Sequence, residues 1–344
     1  MKVVRIHQHG GPEVLKIDEI PVPQCKENDV LVQLKASSLN HLDIWLRQGL
    51  PAWKVKLPRI LGCDGAGVVA GKGETVKDFV NGDRVLIIPN VSCGHCAMCV
   101  DGWDNFCEQY GIVGETCDGC DAEYIVMPRR NVIPIPKHLS FEEAASVPLV
   151  FMTAWQMLIT KAQIKPEQFV LVLGASGGVG SAAIQIAKLH GAKVIATAGD
   201  ESKMEKALGL GADFVINYKK ESISGRVKEI TDKRGVHVVL EHVGKATWQE
   251  SLKSLAQGGK IVTCGSTTGP EVSFNLRHLF MKHQQIIGST MGTRGELFEI
   301  IHFMNQKKLK PVVDTTFPMA DVAKAHAYLE AGKQFGKVVL TIGG

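Results

Sequence analysis

The amino-acid sequence predicts an α/β protein built on a doubly wound parallel sheet, and three observations carry that prediction. The first is the stretch 168–180, QFVLVLGASGGVG, where an unbroken apolar run meets a glycine cluster just before the helical pattern of 181–190. The second is the recurrence of strand-like runs at 193–198, 214–218, 237–243, 260–265 and 285–291, with a helix-sized gap after each of the first four. The third is length: 344 residues suffice for two domains, and residues 1 to about 90 carry short alternating strand patterns instead of the α/β alternation.

Taken in order, 15–20 and 30–36 read as strands punctuated by Pro, Gly and Asp, which implies a β-rich, partly barrelled N-terminal domain. Asn81-Gly82-Asp83 is a turn signal before the apolar strand 84–88. Nine cysteines fall at 25, 63, 93, 96, 99, 107, 117, 120 and 264. An odd count with no secretion signal argues against a disulfide framework. Cys93, Cys96 and Cys99 are spaced i, i+3, i+6 on a loop, and Cys107 follows a turn or two later. Four thiolates converging in this way suit a tetrahedral zinc with no open position, hence a structural metal. His95 lies inside the loop as a competing ligand, but the four cysteines already fill the shell. Cys117 and Cys120 also form a C-x-x-C pair, here read as a turn with two free thiols, since no thioredoxin-like strand and helix frame it. Cys25 and Cys264 read as packing residues.

The segment 140–158 opens with Ser140 and Glu143, a capping box, and its Ala-rich body predicts a single helix leading into the cofactor domain. In 168–180 the strand is apolar throughout, as for a parallel strand buried on both faces. Gly177, Gly178 and Gly180 let backbone approach a pyrophosphate, whose charge is met by amides at a helix N-terminus. Ala175 stands where the first glycine of the strict dinucleotide fingerprint would be. Ser176, Gly177, Gly178 and Val179 are the candidate cofactor contacts of this turn.

Composition excludes several classes. A formal charge of +4 with scattered Lys and Arg, and no basic run interleaved with aromatics, argues against nucleic acid. No apolar stretch approaches the roughly 20 residues of a membrane helix, and the N-terminal MKVVRIHQHG reads as a strand, not a leader. A cytoplasmic protein with a small-molecule substrate is the expectation.

With these features in order, the chain resembles the medium-chain dehydrogenase/reductase superfamily over nearly its whole length. Further matching segments are Ser38-Leu39-Asn40-His41-Leu42-Asp43, Gly82-Asp83-Arg84-Val85, Asp118-Gly119 with Ala122-Glu123-Tyr124, and Ile216-Asn217-Tyr218. The resemblance implies a GroES-like catalytic domain over 1–149 and 291–344, with a structural zinc lobe at about 91–108. It implies a Rossmann dinucleotide-binding domain over 150–290, and an active site in the cleft between the two.

In zinc alcohol dehydrogenases of that superfamily, a cysteine, a histidine and a later cysteine or aspartate hold a catalytic zinc. The matching positions here are Asn40, Cys63 and Leu149, of which Cys63 alone is a strong ligand. Asp64 matches a family glutamate beside the metal. The resemblance therefore points to a zinc-independent branch, the quinone oxidoreductases, whose N-x-x-D-x-Y-x-R-x-G segment is similar to residues 40–49 with Trp45 in place of tyrosine. An indole gives up no proton at useful pKa, so proton delivery falls to solvent, which a quinone tolerates best.

From the resemblance Asn40, His41 and Asp64 are the candidate catalytic residues, and Lys203 and Tyr218 match positions that hold a 2′-phosphate. Ala198 stands where a carboxylate would select NAD, so NADPH is expected, with Asp200 leaving NADH as the alternative. Thr153, Gly265 and Met291, with Ser266 and Thr290, are expected to border the nicotinamide. His242 and His41 are further candidates near the cofactor, each equally readable as a structural histidine. The function expected is NADPH-dependent reduction of quinones or other conjugated carbonyls. Two alternatives stay open: an alcohol dehydrogenase with an irregular metal site of Cys63, Asp64 and His41, and a non-enzymatic NADPH-binding protein. Family members commonly pair through the last strand of the sheet, so a homodimer or dimer of dimers is expected.

Overall fold

The computed structural model describes residues 1–49 and 55–343, and the chain divides into two units. One comprises Met1–Leu149, Thr293–Gln306 and Lys310–Gly344; the other comprises Val150–Gly292 with Lys307–Leu309.

The first unit is β-rich. Its main sheet runs in the order Val132–Pro134, Arg84–Ile87, Asp64–Lys72, Asp29–Ser38, Lys337–Thr341, Val313–Pro318, with Tyr124–Pro128 also pairing Asp29–Ser38. Neighbours are antiparallel except the last pair of that order, which is parallel. The ten-residue strand Asp29–Ser38 is its axis because alternate side chains such as Val30, Val32 and Leu34 are buried, the period-two pattern legible in the sequence. Ser38 is paired with Asp64 on one side and with Val339 on the other. Residues far apart in the chain are thereby brought to the same end of three adjacent strands. A second, three-stranded sheet joins Leu15–Glu19, Lys2–Ile6 and Arg59–Ile60.

In the second unit six parallel strands are ordered Phe214–Asn217, Lys193–Ala198, Phe169–Val172, Val236–Glu241, Leu255–Thr263, Gln285–Gly288. The helices Glu201–Gly209, Ile223–Ile230, Trp248–Ser254 and Leu276–Met281 fill the four gaps that the sequence left for them. The chain runs outward from Phe169–Val172 to one edge, then returns to build the other side from Val236–Glu241. The switch point thus lies between those two central strands, where doubly wound sheets place their ligands. Leu171, Ile195, Ile216, Val239 and Ile261 form the core of this sheet.

One expectation is corrected. Residues 140–158 do not form a single helix: Phe141–Ala145 is a short helix capped by Ser140 and Glu143, and a new helix, Pro148–Trp155, begins at Pro148. Proline lacks the N–H an interior turn requires but is well suited to a first turn, so it restarts the helix. Beyond Trp155 the backbone widens into a π-helical stretch, Gln156–Lys161, after which Lys260 Nζ donates to Ala162 O at 2.7 Å. Among the described residues no helix is long and apolar enough to cross a membrane.

Candidate active site

Asn40 ends the axial strand's extension and starts the helix His41–Gln48. Its N–H donates to Asp43 Oδ2 at 2.7 Å, the capping contact that sets the helix in place. The far end of that helix is anchored by Arg47, fully buried, which donates to Gly10 O, to His326 Nδ1 at 3.2 Å and to Glu330 at 2.6 Å. An arginine has only donors, so His326 accepts through Nδ1. Burial and the Arg47 charge push its pKa down to about 3, so the ring is neutral.

The Asn40 side chain points the other way, to a buried polar cluster. Its Nδ2 lies 2.9 Å from Asp64 Oδ2 and 3.2 Å from Cys63 Sγ. Lys337 Nζ donates to Asn40 Oδ1 at 2.5 Å and to Leu39 O at 2.8 Å, and stands 3.5 Å from Asp64 Oδ2. Because an ammonium can only donate, this contact fixes which end of the Asn40 amide is oxygen. Leu149 N–H, in the first turn of its helix, donates to Asp64 Oδ1 at 2.9 Å. Asp64 therefore has a donor on each oxygen and a cation beside it.

Electrostatics follow from this geometry. Burial raises the Asp64 carboxyl, and Lys337, Asn40 and the Leu149 N–H pull against that rise. Burial, then the charges of Asp64 and Asp43, push the Cys63 thiol well above its ordinary range. Asn40 is a neutral amide, Leu149 has an apolar side chain and the local cation is the Lys337 ammonium, so of the three positions Cys63 alone offers a strong zinc ligand. His41 is exposed at the start of its helix, its ring 6.3 Å from that of Trp45, and it does not join Cys63 and Asp64.

Cys93, Cys96, Cys99 and Cys107 do converge, with all four sulfurs within 4.8 Å of one another. Thiolates at about 2.3 Å from a tetrahedral zinc stand roughly 3.8 Å apart, close to the 3.9 Å of the Cys93–Cys99 and Cys96–Cys107 contacts. N–H groups of His95 and Cys96 donate to Cys93 Sγ and push its pKa down to about 6, whereas burial pushes Cys99 up to about 11, so it is the spacing of the four sulfurs that fits a zinc. Among the described residues this is the group of metal-ligating side chains that could hold an ion. The lobe is tied to the returning segment through buried Asp104, which accepts from Arg294 N–H at 2.9 Å and lies 3.5 Å from its Nε.

In the second unit Gly177 caps the helix Gly178–Leu189, placing Ser176, Gly177, Gly178 and Val179 at a helix N-terminus directly off the central strand. Gly180 packs against the turn itself: a Cβ there would lie 2.2 Å from Gly174 O. His242 closes the switch point. Its Nε2 donates to Leu173 O at 2.8 Å, and burial lowers its pKa, so the ring is a neutral tautomer with Nδ1 as lone pair. Thr153 Oγ1 is 4.0 Å from the sulfur of Met291, a buried residue held at φ +53°. Gly265 O accepts from Thr263 Oγ1 two residues earlier.

At the end of Lys193–Ala198, Asp200 is turned away from the strand end: its Oδ1 accepts the Lys203 N–H at 2.9 Å and caps Glu201–Gly209. Gly199 is flanked by Tyr218 and Lys219, whose Oη and Cε would lie 2.7 and 3.2 Å from a Cβ there. Lys219 was not singled out by sequence, nor was Lys337. For Lys219 the signal was available, one residue past Tyr218. For Lys337 none was, because the partner that gives it meaning lies 297 positions away.

The sequence matches an alcohol dehydrogenase GroES-like domain over residues 26–137 and a zinc-binding dehydrogenase domain over 178–306. A zinc-type alcohol dehydrogenase-like protein of Schizosaccharomyces pombe is 35% identical over 341 residues, covering 97% of this chain and 96% of its own. Human (Homo sapiens) quinone oxidoreductase is 31% identical, covering 99% and 98%. The crystal structure of an NAD-dependent alcohol dehydrogenase superposes with a TM-score of 0.97 at 45% identity, over 100% of both chains.

Proposed function

The chain belongs to the medium-chain dehydrogenase/reductase superfamily and is an oxidoreductase of that family, and from that premise we propose that it reduces quinones or other conjugated carbonyls with NADPH, without a catalytic zinc. One observation carries the reading: where a catalytic zinc would need three ligands there are the Asn40 amide, Cys63 and the apolar Leu149, and the local cation is Lys337.

The chemistry argues from there. Zinc lowers the pKa of bound water from about 15.7 to about 7, a shift worth roughly 12 kcal/mol, and alcohol oxidation relies on help of that size to shed a proton. Asn40 is a neutral amide, and Lys337 is a donor with no basic lone pair while charged. Neither takes a proton from an alcohol. A conjugated carbonyl is already an electron sink, the nicotinamide supplies the hydride, and the oxygen that gains charge needs only donors nearby. Lys337 supplies a fixed positive charge behind Asn40 and polarises the amide whose Nδ2 faces Cys63 and Asp64.

The preference for NADPH is supported by the placement of Asp200, spent on capping its helix, and by Tyr218 and Lys219 beside Gly199, with Lys203 in the first turn after it. A structural zinc in the four-cysteine lobe completes the reading. The alternative, alcohol dehydrogenase chemistry, is favoured by the 45%-identical structure, and Asn40 and Leu149 at two ligand positions, with the Lys337 ammonium beside them, argue against it.

The test combines turnover with metal content. NADPH oxidation is followed with a benzoquinone, an enone and an aldehyde, and NAD(P) reduction with primary and secondary alcohols, while zinc per chain is measured by elemental mass spectrometry. Quinone- or enone-dependent NADPH oxidation with one zinc per chain is expected. Alcohol oxidation accompanied by a second zinc that survives Cys93→Ser and is lost in Cys63→Ala would overturn the proposal, and cofactor binding without turnover on any of these would favour a non-enzymatic role.

A further inference from the structure

Behind the polar cluster the chain buries two carboxyl groups against one glycine. Asp43 accepts the N–H of Gly62 on Oδ1 at 3.0 Å and that of Asn40 on Oδ2 at 2.7 Å, so each of its oxygens has a backbone donor. Asp121 is equally buried but less well served. Ser37 Oγ donates to its Oδ1 at 2.5 Å, and its Oδ2 has no partner. Gly62 is where the two meet: its φ is +87°, and a Cβ there would stand 2.4 Å from Asp121 Oδ1. The backbone ties the same elements together, with Asp121 N–H donating to Leu61 O at 3.0 Å and Cys120 N–H to Gly62 O at 2.7 Å.

A second full charge here is poorly supported. An ionised Asp121 would leave an acceptor unsatisfied in the dry interior and would repel Asp43. Adding one proton takes the charge off the orphan oxygen and removes the repulsion. The donor count decides where it goes, because Asp43 already has two N–H groups arranged for an anion. The charged and titratable groups around the pair are Asp64, Lys337, Cys63 and Cys120. The Lys337 ammonium acts on both Asp43 and Asp64, so it cannot neutralise a third carboxylate as well.

We propose that the buried Asp43–Asp121 pair keeps one proton under mildly acidic conditions, that this proton sits on Asp121 so that the pair carries one negative charge, and that it holds the turn delivering Cys63 and Asp64. Asp121 is thus a positioning residue, acting through Gly62 and not on substrate. The inference concerns the support of the pocket and stands whether the substrate is a quinone or an alcohol. Burial raises both carboxyls; the N–H groups of Asn40 and Gly62 pull against that rise at Asp43, and the Ser37 hydroxyl pulls against it at Asp121.

The sign of the pH effect follows. A carboxyl whose folded pKa lies above its unfolded one binds more proton when folded, so its contribution is full below the unfolded pKa and is lost as pH rises through the folded one. For Asp121 that window runs from about 4 to about 6. Asp121→Asn, isosteric with the protonated acid, tests this in the full chain. The expected result is that the unmodified protein shows the infrared carbonyl band of a buried carboxylic acid at about pH 5, that Asp121→Asn loses it, and that the fall in melting temperature across that window flattens. Absence of the band in the unmodified protein, or its survival in Asp121→Asn, would overturn the proposal. Should Asp121→Asn fail to fold, the band in the unmodified protein, fading as pH rises through about 6, still decides between the two outcomes.

Discussion

Lys337 Nζ and Asn40 Oδ1 lie 2.5 Å apart, both buried, so a residue near the end of the chain supplies the positive charge to a pocket built from its first quarter. Strand pairing makes this possible: Ser38 is flanked by Asp64 and Val339 in register, which puts Asn40, Asp64 and Lys337 at one end of three neighbouring strands. Lys337→Met removes the charge and leaves Asp64 buried without its cation. Breaking one side of a buried pair typically costs about 3–5 kcal/mol, and urea denaturation should read a loss of that order. Asp64→Asn in the same chain should restore a good part of the stability, because the uncompensated charge is then gone. Quinone turnover should fall more than tenfold in both variants.

That relationship also marks how far the sequence could be read. Asn40, Cys63 and Asp64 could be singled out only through the resemblance of their motifs to a known family, and the structure brings the three side chains together. The parallel sheet was legible because its strands are uniformly apolar and separated by helix-sized gaps. Lys337 opens the strand Lys337–Thr341 and reads as an ordinary polar boundary residue; only tertiary pairing buries it. Asp121 is hidden for the same reason, since nothing local distinguishes a solvated aspartate from one packed against Gly62. The helix over 140–158 was misread because a proline at a first helical turn leaves the apolar pattern on both sides intact.

The four-cysteine lobe should hold one zinc per chain. Cys93→Ser removes a ligand, and elemental analysis should then find the metal lost. Since a structural metal contributes folding free energy outright, the melting temperature should fall by several degrees. Asp104, which ties the lobe to Arg294, should lose its fixed position along with it.

Cofactor preference should respond to the residues around Gly199. Hydrogen bonds to a charged group contribute about 1.5–3 kcal/mol, so Lys203→Ala or Lys219→Ala should weaken NADPH binding roughly ten- to hundred-fold. NADH affinity, measured by fluorescence titration on the same variants, should stay nearly constant. Equal losses for both nucleotides would instead indicate that these residues support the fold of the strand end.

The strand Gln285–Gly288 ends the parallel sheet, and the helix before it exposes Leu276, Phe280 and Met281. An edge strand beside exposed apolar residues is a surface that a second copy of the chain can cover. A dimer is therefore expected by light scattering at micromolar concentration, and Ile287→Lys should shift it toward monomer.

Two glycines of the turn at 174–180 should separate folding from cofactor binding. At Gly180 an added Cβ would stand 2.2 Å from the Gly174 carbonyl oxygen, a backbone atom that cannot swing aside, so Gly180→Ala must push the helix off the strand and lower stability. At Gly177 the nearest atom, the same oxygen, is 3.4 Å away, an ordinary contact, and φ is −79°, which alanine adopts freely. Gly177→Ala should therefore melt within a degree or two of the parent protein. Its methyl group would nevertheless stand at the helix N-terminus where a pyrophosphate must approach the backbone. Affinity for NADPH and NADH alike should drop at least tenfold in Gly177→Ala, by fluorescence titration, while thermal unfolding is unchanged. An unaltered affinity in that variant would mean that the dinucleotide does not lie across this turn.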